Sequence, residues 1–172
     1  MEASGLPYAV GGAIAYGLWA PPRATNDVDL TLFVPLESLG LAFAALKLAG
    51  AHIDEVGATE QARDRGDFRA TWQGMRVDVF LPSIPFYASV EARVCDARLE
   101  GEPIRVLSAE DLAVFKLLFF RPKDLLDLER LVGFRKQLLD AGYVRRWVVD
   151  MVGEQDARVL EWDRIVRSYG AP

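Results

Sequence analysis

The sequence is poor in the residues and charges that several protein classes depend on. Its 172 residues include one cysteine, Cys95, and one histidine, His52, so an internal disulfide framework and a His- or Cys-rich metal centre are both excluded. Positive charge is in deficit as well: 20 Lys and Arg stand against 25 Asp and Glu, a formal net charge of −5. A dedicated nucleic-acid coat needs the opposite balance, and any nucleic-acid partner has to be held locally. No apolar run is unbroken. Ala3 to Pro22 carries no charge and is long enough to cross a bilayer, yet Gly5, Gly11, Gly12 and Gly17 with Pro7, Pro21 and Pro22 divide it into strand, turn and short helix. Only Glu2 precedes the apolar part, where a secretory signal needs a basic start. These deficits together predict a protein of the reducing cytoplasm with no membrane partner.

Hydrophobic residues at 51% and charged residues at 26% are enough for a real core at the length of one compact unit, or of a core with a helical annex. Tyr8 to Val10 reads as a short buried strand ending at Gly11-Gly12, and Ala13 to Trp19 as a short helix stopped by Pro21-Pro22. Asp27 to Val34 alternates, with Val28, Leu30 and Leu32 on one face and Asp27, Asp29 and Thr31 on the other. Leu36, Leu39, Phe43 and Leu46 recur at helical spacing. Phe68 to Trp72 and Met75 to Leu81 read as a hairpin turning at Gln73-Gly74, with Val77, Val79 and Leu81 on one face and Arg76, Asp78 and Phe80 on the other.

A second β pair is expected around Gly101, from Ala92 to Leu99 and from Ile104 to Leu107. After Ser108, which with Asp111 forms a capping pattern, the chain reads as helical: Leu112, Phe115 and Phe119 on one helix, and Leu125, Leu128 and Val132 on the next, begun by Pro122. Tyr143, Trp147 and Met151 mark a third helix, and Ala157 to Tyr169 the last. The expected architecture is α+β, a small mixed sheet with helices on one face over residues 1–107 and a helical C-terminal part over 108–172.

Asp27-Val28-Asp29 carries the sharpest chemical signal. Residues i and i+2 of a strand point the same way, so two carboxylates lie side by side and repel unless a cation sits between them. Carboxylate oxygens suit magnesium, and magnesium brings phosphates. Asp78, on a second strand with the same facing, completes a three-carboxylate cradle; the competing reading is a solvated strand face. Gly11-Gly12, between a strand and a helix N-terminus, lets backbone N–H groups approach an anion, although a plain tight turn has the same sequence. Lys116 is unusual in a helix apolar on nearly every side, because a buried lysine needs a counter-charge, from phosphate oxygens or from the acidic cradle, unless it reaches the surface.

In this fixed order, Gly11-Gly12 followed by Arg23-Ala-Thr25-Asn-Asp27-Val-Asp29-Leu and then Arg76-Val-Asp78-Val-Phe80 resembles the signature of the polymerase-β-like nucleotidyltransferase superfamily. Ser108-Ala-Glu-Asp-Leu through Lys116 to Arg121-Pro-Lys123-Asp124-Leu-Leu-Asp127-Leu is similar to the C-terminal motif of AbiEii-like small bacterial nucleotidyltransferases. The resemblance implies a nucleoside triphosphate substrate, two magnesium ions held by Asp27, Asp29 and Asp78, and Asp78 as the group that helps activate the attacking hydroxyl. It further implies phosphate contacts from Gly11 and Gly12, a catalytic Lys116, and substrate contacts from Arg23, Thr25, Lys123 and Asp124. The acceptor implied is tRNA, a protein or a small molecule such as an aminoglycoside. In the toxin reading an antitoxin protein is the partner.

Two other readings compete. Asp27-Val-Asp29-Leu-Thr31 also fits the DxDxT start of haloacid-dehalogenase-like phosphatases, but that family needs a buried strand leading into the first Asp, and Pro21-Pro22-Arg23-Ala24-Thr25-Asn26 leads in here. The other is a nucleotide-binding module of the same fold without catalysis.

Overall fold

The computed structural model describes residues 4–170; Glu2 lies outside them. The fold is α+β. In chain order it comprises β1 (Tyr8–Val10), α1 (Gly12–Trp19), β2 (Asp27–Leu32), α2 (Leu39–Leu48), α3 (Glu55–Arg65), β3 (Asp67–Trp72), β4 (Met75–Phe80) and α4 (Phe86–Ala92). Then follow β5 (Cys95–Leu99), β6 (Glu102–Val106), α5 (Ala109–Phe119), α6 (Pro122–Arg135), α7 (Ala141–Val152) and α8 (Ala157–Tyr169). The six strands form one mixed sheet in the order β3-β4-β2-β1-β6-β5. Strand β2 runs parallel to β4 and β1 parallel to β6, while the remaining neighbours are antiparallel. The chain divides into two compact units: the residues up to Ile14 with Ala24–Leu107, and Ala15–Arg23 with the residues from Ser108 onward.

The first unit contains the sheet, and its core follows from the period-2 alternation of the strands. Leu30 and Leu32 of β2, Val77 and Val79 of β4, and Phe68 and Ala70 of β3 all point to one side, where Leu39, Ala42, Phe43 and Leu46 of α2 and Ala58 and Ala62 of α3 meet them. Phe43 and Phe68 pack edge to face at 5.3 Å and 86°, a favoured aromatic geometry that adds to the burial of both rings. The hairpin turns where Gln73-Gly74 predicts, with φ of 50° and 81°. Positive φ at both central residues is the two-residue turn that matches strand twist, and Gly adopts it at no steric cost.

The second unit is helical. Ser108 caps α5 as the sequence announces, its Oγ accepting the Asp111 N–H at 3.1 Å, and its hydroxyl donates to Asp111 Oδ2 at 2.6 Å. The buried face of α6 is Asp124, Asp127, Leu128, Leu131 and Val132, a helical stripe in which two acids stand among apolar residues. The aromatic stripe expected for α7 proves half-buried, and the residues at its centre are Val144 and Val148. Trp162 of α8 is 1% exposed, its indole N–H donating to the Ala141 carbonyl at 3.1 Å. Among the described residues no helix is long and apolar enough to cross a membrane.

Two helices escape the periodicity reading. Helix α3 buries only Ala58 and Ala62, too little to write an apolar stripe. Its signals are its ends, Asp54 accepting from the Gly57 N–H and Gly66 closing in the left-handed region at φ 74°. Helix α4 is seven residues long and follows Pro85. Its last residue, Ala92, was expected to open a strand; strand β5 begins at Cys95 instead.

Candidate active site

Strand direction gathers the acidic residues. Antiparallel pairing of β1 and β2 sets Val10 opposite Leu30, so the glycines that end β1 lie at the start of β2, and the Gly11 N–H donates to the Asp29 carbonyl at 2.8 Å. Parallel pairing of β2 and β4 aligns their starts, with Asp27 opposite Arg76 and Asp29 opposite Asp78. Residues in register on neighbouring strands share a face, so Asp27, Asp29, Arg76 and Asp78 all project from the side of the sheet away from the Leu30 and Val79 core. Strand β3 adds Arg69, in register with Asp78.

The carboxylates are individually anchored. Thr25 donates its hydroxyl to Asp27 Oδ1, so this loop residue orients the first aspartate. Arg76 Nη2 bridges Asp27 Oδ2 at 2.7 Å and Asp78 Oδ2 at 3.0 Å, and Arg69 Nε donates to Asp78 Oδ1 at 3.3 Å. Asp29 leans on the glycine turn: Gly12 has φ 52°, and a Cβ built there would stand 1.7 Å from Asp29 Oδ2. Gly12 therefore makes room for this carboxylate at the first residue of α1, where the helix dipole favours negative charge. Asp27 and Asp78 keep 25% and 19% of their side-chain surface, enough for a ligand to reach them.

Among the described residues no three acidic, His or Cys side chains converge as ready ligands of one ion. Asp29 rests against Gly12, and a guanidinium stands between Asp27 and Asp78. In type the donor set suits a hard divalent cation, being three carboxylates from one sheet face. The bridging guanidinium is itself a cation drawn to two of them.

The other expected site residues belong to the second unit and form an ion network of their own. Lys116, 4% exposed, lies 2.6 Å from Asp127 Oδ2 and 3.6 Å from Asp124 Oδ1, and its ammonium is 5.4 Å from the Tyr16 ring centre. The counter-charge that a buried lysine requires is thus supplied by α6, from carboxylates three residues apart on its buried face. Arg23, read from sequence as a nucleotide contact, holds Asp127 through Nε and Nη2 at 3.1–3.2 Å. Arg121 holds Asp124 at 2.6 Å. Burial alone pushes the Asp127 carboxyl up, but the hydrogen bonds and charges of Arg23 and Lys116 outweigh it and hold the group below the ordinary carboxylate value. Burial, with Asp127 nearby, raises the Tyr16 phenol. Lys123 is exposed on the first turn of α6.

Sequence reasoning passed over two residues here, Arg69 and Arg76. The i, i+2 rule that places Asp78 on the acidic face places Arg76 there too, so its signal lay in the Arg76-Val77-Asp78 run. Arg69 needs the hairpin register, which only the turn at Gln73-Gly74 specifies.

No protein-family model and no curated protein matches the sequence. Solved structures do. The antibiotic-resistance factor ANT(2″)-Ia, in complex with adenylyl-2″-tobramycin, superposes with a TM-score of 0.50 at 16% identity over 98% of this chain and 91% of that one. An antigenic nucleotidyltransferase-like protein of Paracoccidioides brasiliensis gives 0.49 at 16% identity over 93% and 87% of the two chains. A tRNA nucleotidyltransferase complexed with a primer tRNA and an incoming ATP analog gives 0.34 at 13% identity over 98% of this chain and 58% of that one. At such identities the likeness is one of fold alone, shared with ANT(2″)-Ia.

Proposed function

We propose that this chain is a nucleotidyltransferase, moving a nucleoside monophosphate from a nucleoside triphosphate to an acceptor hydroxyl with release of pyrophosphate. The observation that carries the reading is the register of β2 and β4, which sets Asp29 opposite Asp78 and Asp27 on the same face, beside the Gly11-Gly12 turn. Asp27, Asp29 and Asp78 would hold the magnesium. When bound, magnesium supplies neutralisation of the triphosphate charge and a lowered pKa for the attacking hydroxyl.

The chain's own residues provide the rest. Asp78, partly open to solvent, takes the hydroxyl proton as the acceptor oxygen attacks the α-phosphorus in line and the bond to pyrophosphate breaks. Thr25 keeps Asp27 aimed, and Gly11 and Gly12 offer the phosphates a close approach to the start of α1. Lys116, neutralised by Asp127 and Asp124, ties α5 to α6 within the second unit. Asp124 and Arg23 belong to the same network, while Lys123 is the exposed cation offered to substrate.

For the acceptor we favour tRNA, in a toxin-type role countered by an antitoxin protein in the cytoplasm, on the AbiEii-like run from Ser108 to Leu128. A small-molecule acceptor is the second reading, favoured by the adenylyl-tobramycin complex of the ANT(2″)-Ia neighbour. Incubation with each α-labelled triphosphate, magnesium and, separately, total tRNA, total protein or a panel of aminoglycosides decides among them. Label in tRNA supports the first reading and label in an aminoglycoside the second. Triphosphate binding with no pyrophosphate release from any acceptor leaves a binding module and overturns the enzyme.

A further inference from the structure

On the acidic face Asp27 and Asp78 are held by a hydroxyl and by guanidinium groups. Asp27 has Thr25 on Oδ1 and Arg76 on Oδ2, and Asp78 has Arg69 on Oδ1 and Arg76 on Oδ2. The single Nη2 of Arg76 lies within 3.0 Å of a carboxylate oxygen on each of two strands. An ion that bridges Asp27 and Asp78 needs those same oxygens. Arginine does not leave by deprotonation, because its guanidinium stays charged throughout the accessible pH range. Only displacement can vacate the oxygens. Arg76 is suited to that, since half of its side-chain surface is in solvent, where an ion pair is weak and the freed head is rehydrated cheaply.

We infer that Arg76 is an internal counter-cation: it holds Asp27 and Asp78 together in the metal-free protein and is displaced when a divalent ion binds. This rests on the proposed metal-dependent transfer and assigns Arg76 a positioning role in it. The arrangement keeps like charges on adjacent strands compensated at all times, first by the guanidinium and then by the ion. It also releases a phosphate-seeking fork beside the site as the ion and its triphosphate arrive. The guanidinium competes with the ion, so removing it tightens ion binding, by ~3- to 10-fold for two exposed ion pairs.

Two measurements on the full chain test this. The first follows the guanidinium ¹⁵N signals of arginine-labelled wild-type protein during magnesium titration, with Arg76→Lys to assign the Arg76 resonances. Rotation about the Arg76 Nε–Cζ bond, hindered in the metal-free protein, becomes fast as magnesium binds. The second compares manganese affinity, by electron paramagnetic resonance without nucleotide, for wild type, Arg76→Gln and Arg98→Gln. The last makes the same charge change on β5, where the arginine donates to the Gly101 carbonyl. Tighter binding in Arg76→Gln alone is expected. Equal manganese affinity in all three proteins, with Arg76 signals unmoved by magnesium, overturns the inference and leaves the proposed function standing. Failure of all three to bind manganese or magnesium overturns both.

Discussion

Substitution of Gly12 by alanine puts the geometry of the site to a quantitative test. Gly12 sits at φ 52°, and an added Cβ would stand 1.7 Å from Asp29 Oδ2, 2.5 Å from its Cγ and 2.9 Å from its Cβ. The left-handed backbone costs a residue with a Cβ about 1–2 kcal/mol. Forcing Asp29 off its rotamer adds about 0.5–1.5 kcal/mol, and rotation alone leaves the 2.9 Å contact to be relieved by the backbone. The sum, about 1.5–3.5 kcal/mol, lowers the midpoint of thermal unfolding by about 3–14 °C at the ~2–4 °C per kcal/mol expected for a chain of this size. Gly11→Ala is milder, because its nearest neighbour is the end of the Leu107 side chain at 3.1 Å. Since the clash is with Asp29, truncating that residue relieves part of it. The Gly12→Ala, Asp29→Ala double variant is therefore more stable than the sum of the single costs by about 0.5–1.5 kcal/mol. Differential scanning calorimetry on the four proteins of the cycle measures this directly. Additive costs would show that the Asp29 carboxylate does not lie against Gly12, and the site as described would be refuted.

The ion network of the second unit makes further predictions. Asp127→Ala strands Lys116 and Arg23 without their shared carboxylate and costs about 3–5 kcal/mol, roughly 6–20 °C in the unfolding midpoint. Lys116→Met costs less, because Asp127 keeps the Arg23 fork; the reverse order in calorimetry would show that Arg23 contributes little. The folded carboxyl of Asp127 titrates below its ordinary value, so its stabilisation is complete above the unfolded value near 3.9 and is lost as pH falls through the lower, folded one. The midpoint gap between wild type and Asp127→Asn is accordingly wide at pH 7 and closes as the pH falls below about 4. A gap that instead widens in acid contradicts the pairing.

The parts of the fold that declared themselves in the sequence are those where one local rule decides the structure. Period-2 alternation placed Asp27, Asp29 and Asp78 opposite an apolar face, and that face is buried: Leu30, Val77 and Val79 lie in the core. Ser108 and Pro122 marked helix starts because caps and proline act within a single turn. Helix α3 stayed hidden because it rests on two alanines and carries no stripe. The acidic face was legible in its residues but not in its pairings. Lys116 called for a counter-charge, and whether phosphate or Asp127 met it depended on how α5 and α6 pack, which no local pattern records. Arg76 was placed on the correct face by the alternation, yet its bridge to Asp27 exists only because β2 and β4 lie in parallel register.

The account is tested most directly by measuring label transfer and pyrophosphate together, with α-labelled nucleoside triphosphate, magnesium and the responsive acceptor pool, in wild type and Asp78→Asn. Wild type should release one pyrophosphate for each nucleotide transferred. Asp78→Asn, folded with an unchanged circular dichroism spectrum, should lose the reaction by at least ~10²-fold, the scale of a general base removed from its hydroxyl. Transfer by Asp78→Asn at the wild-type rate would contradict the account.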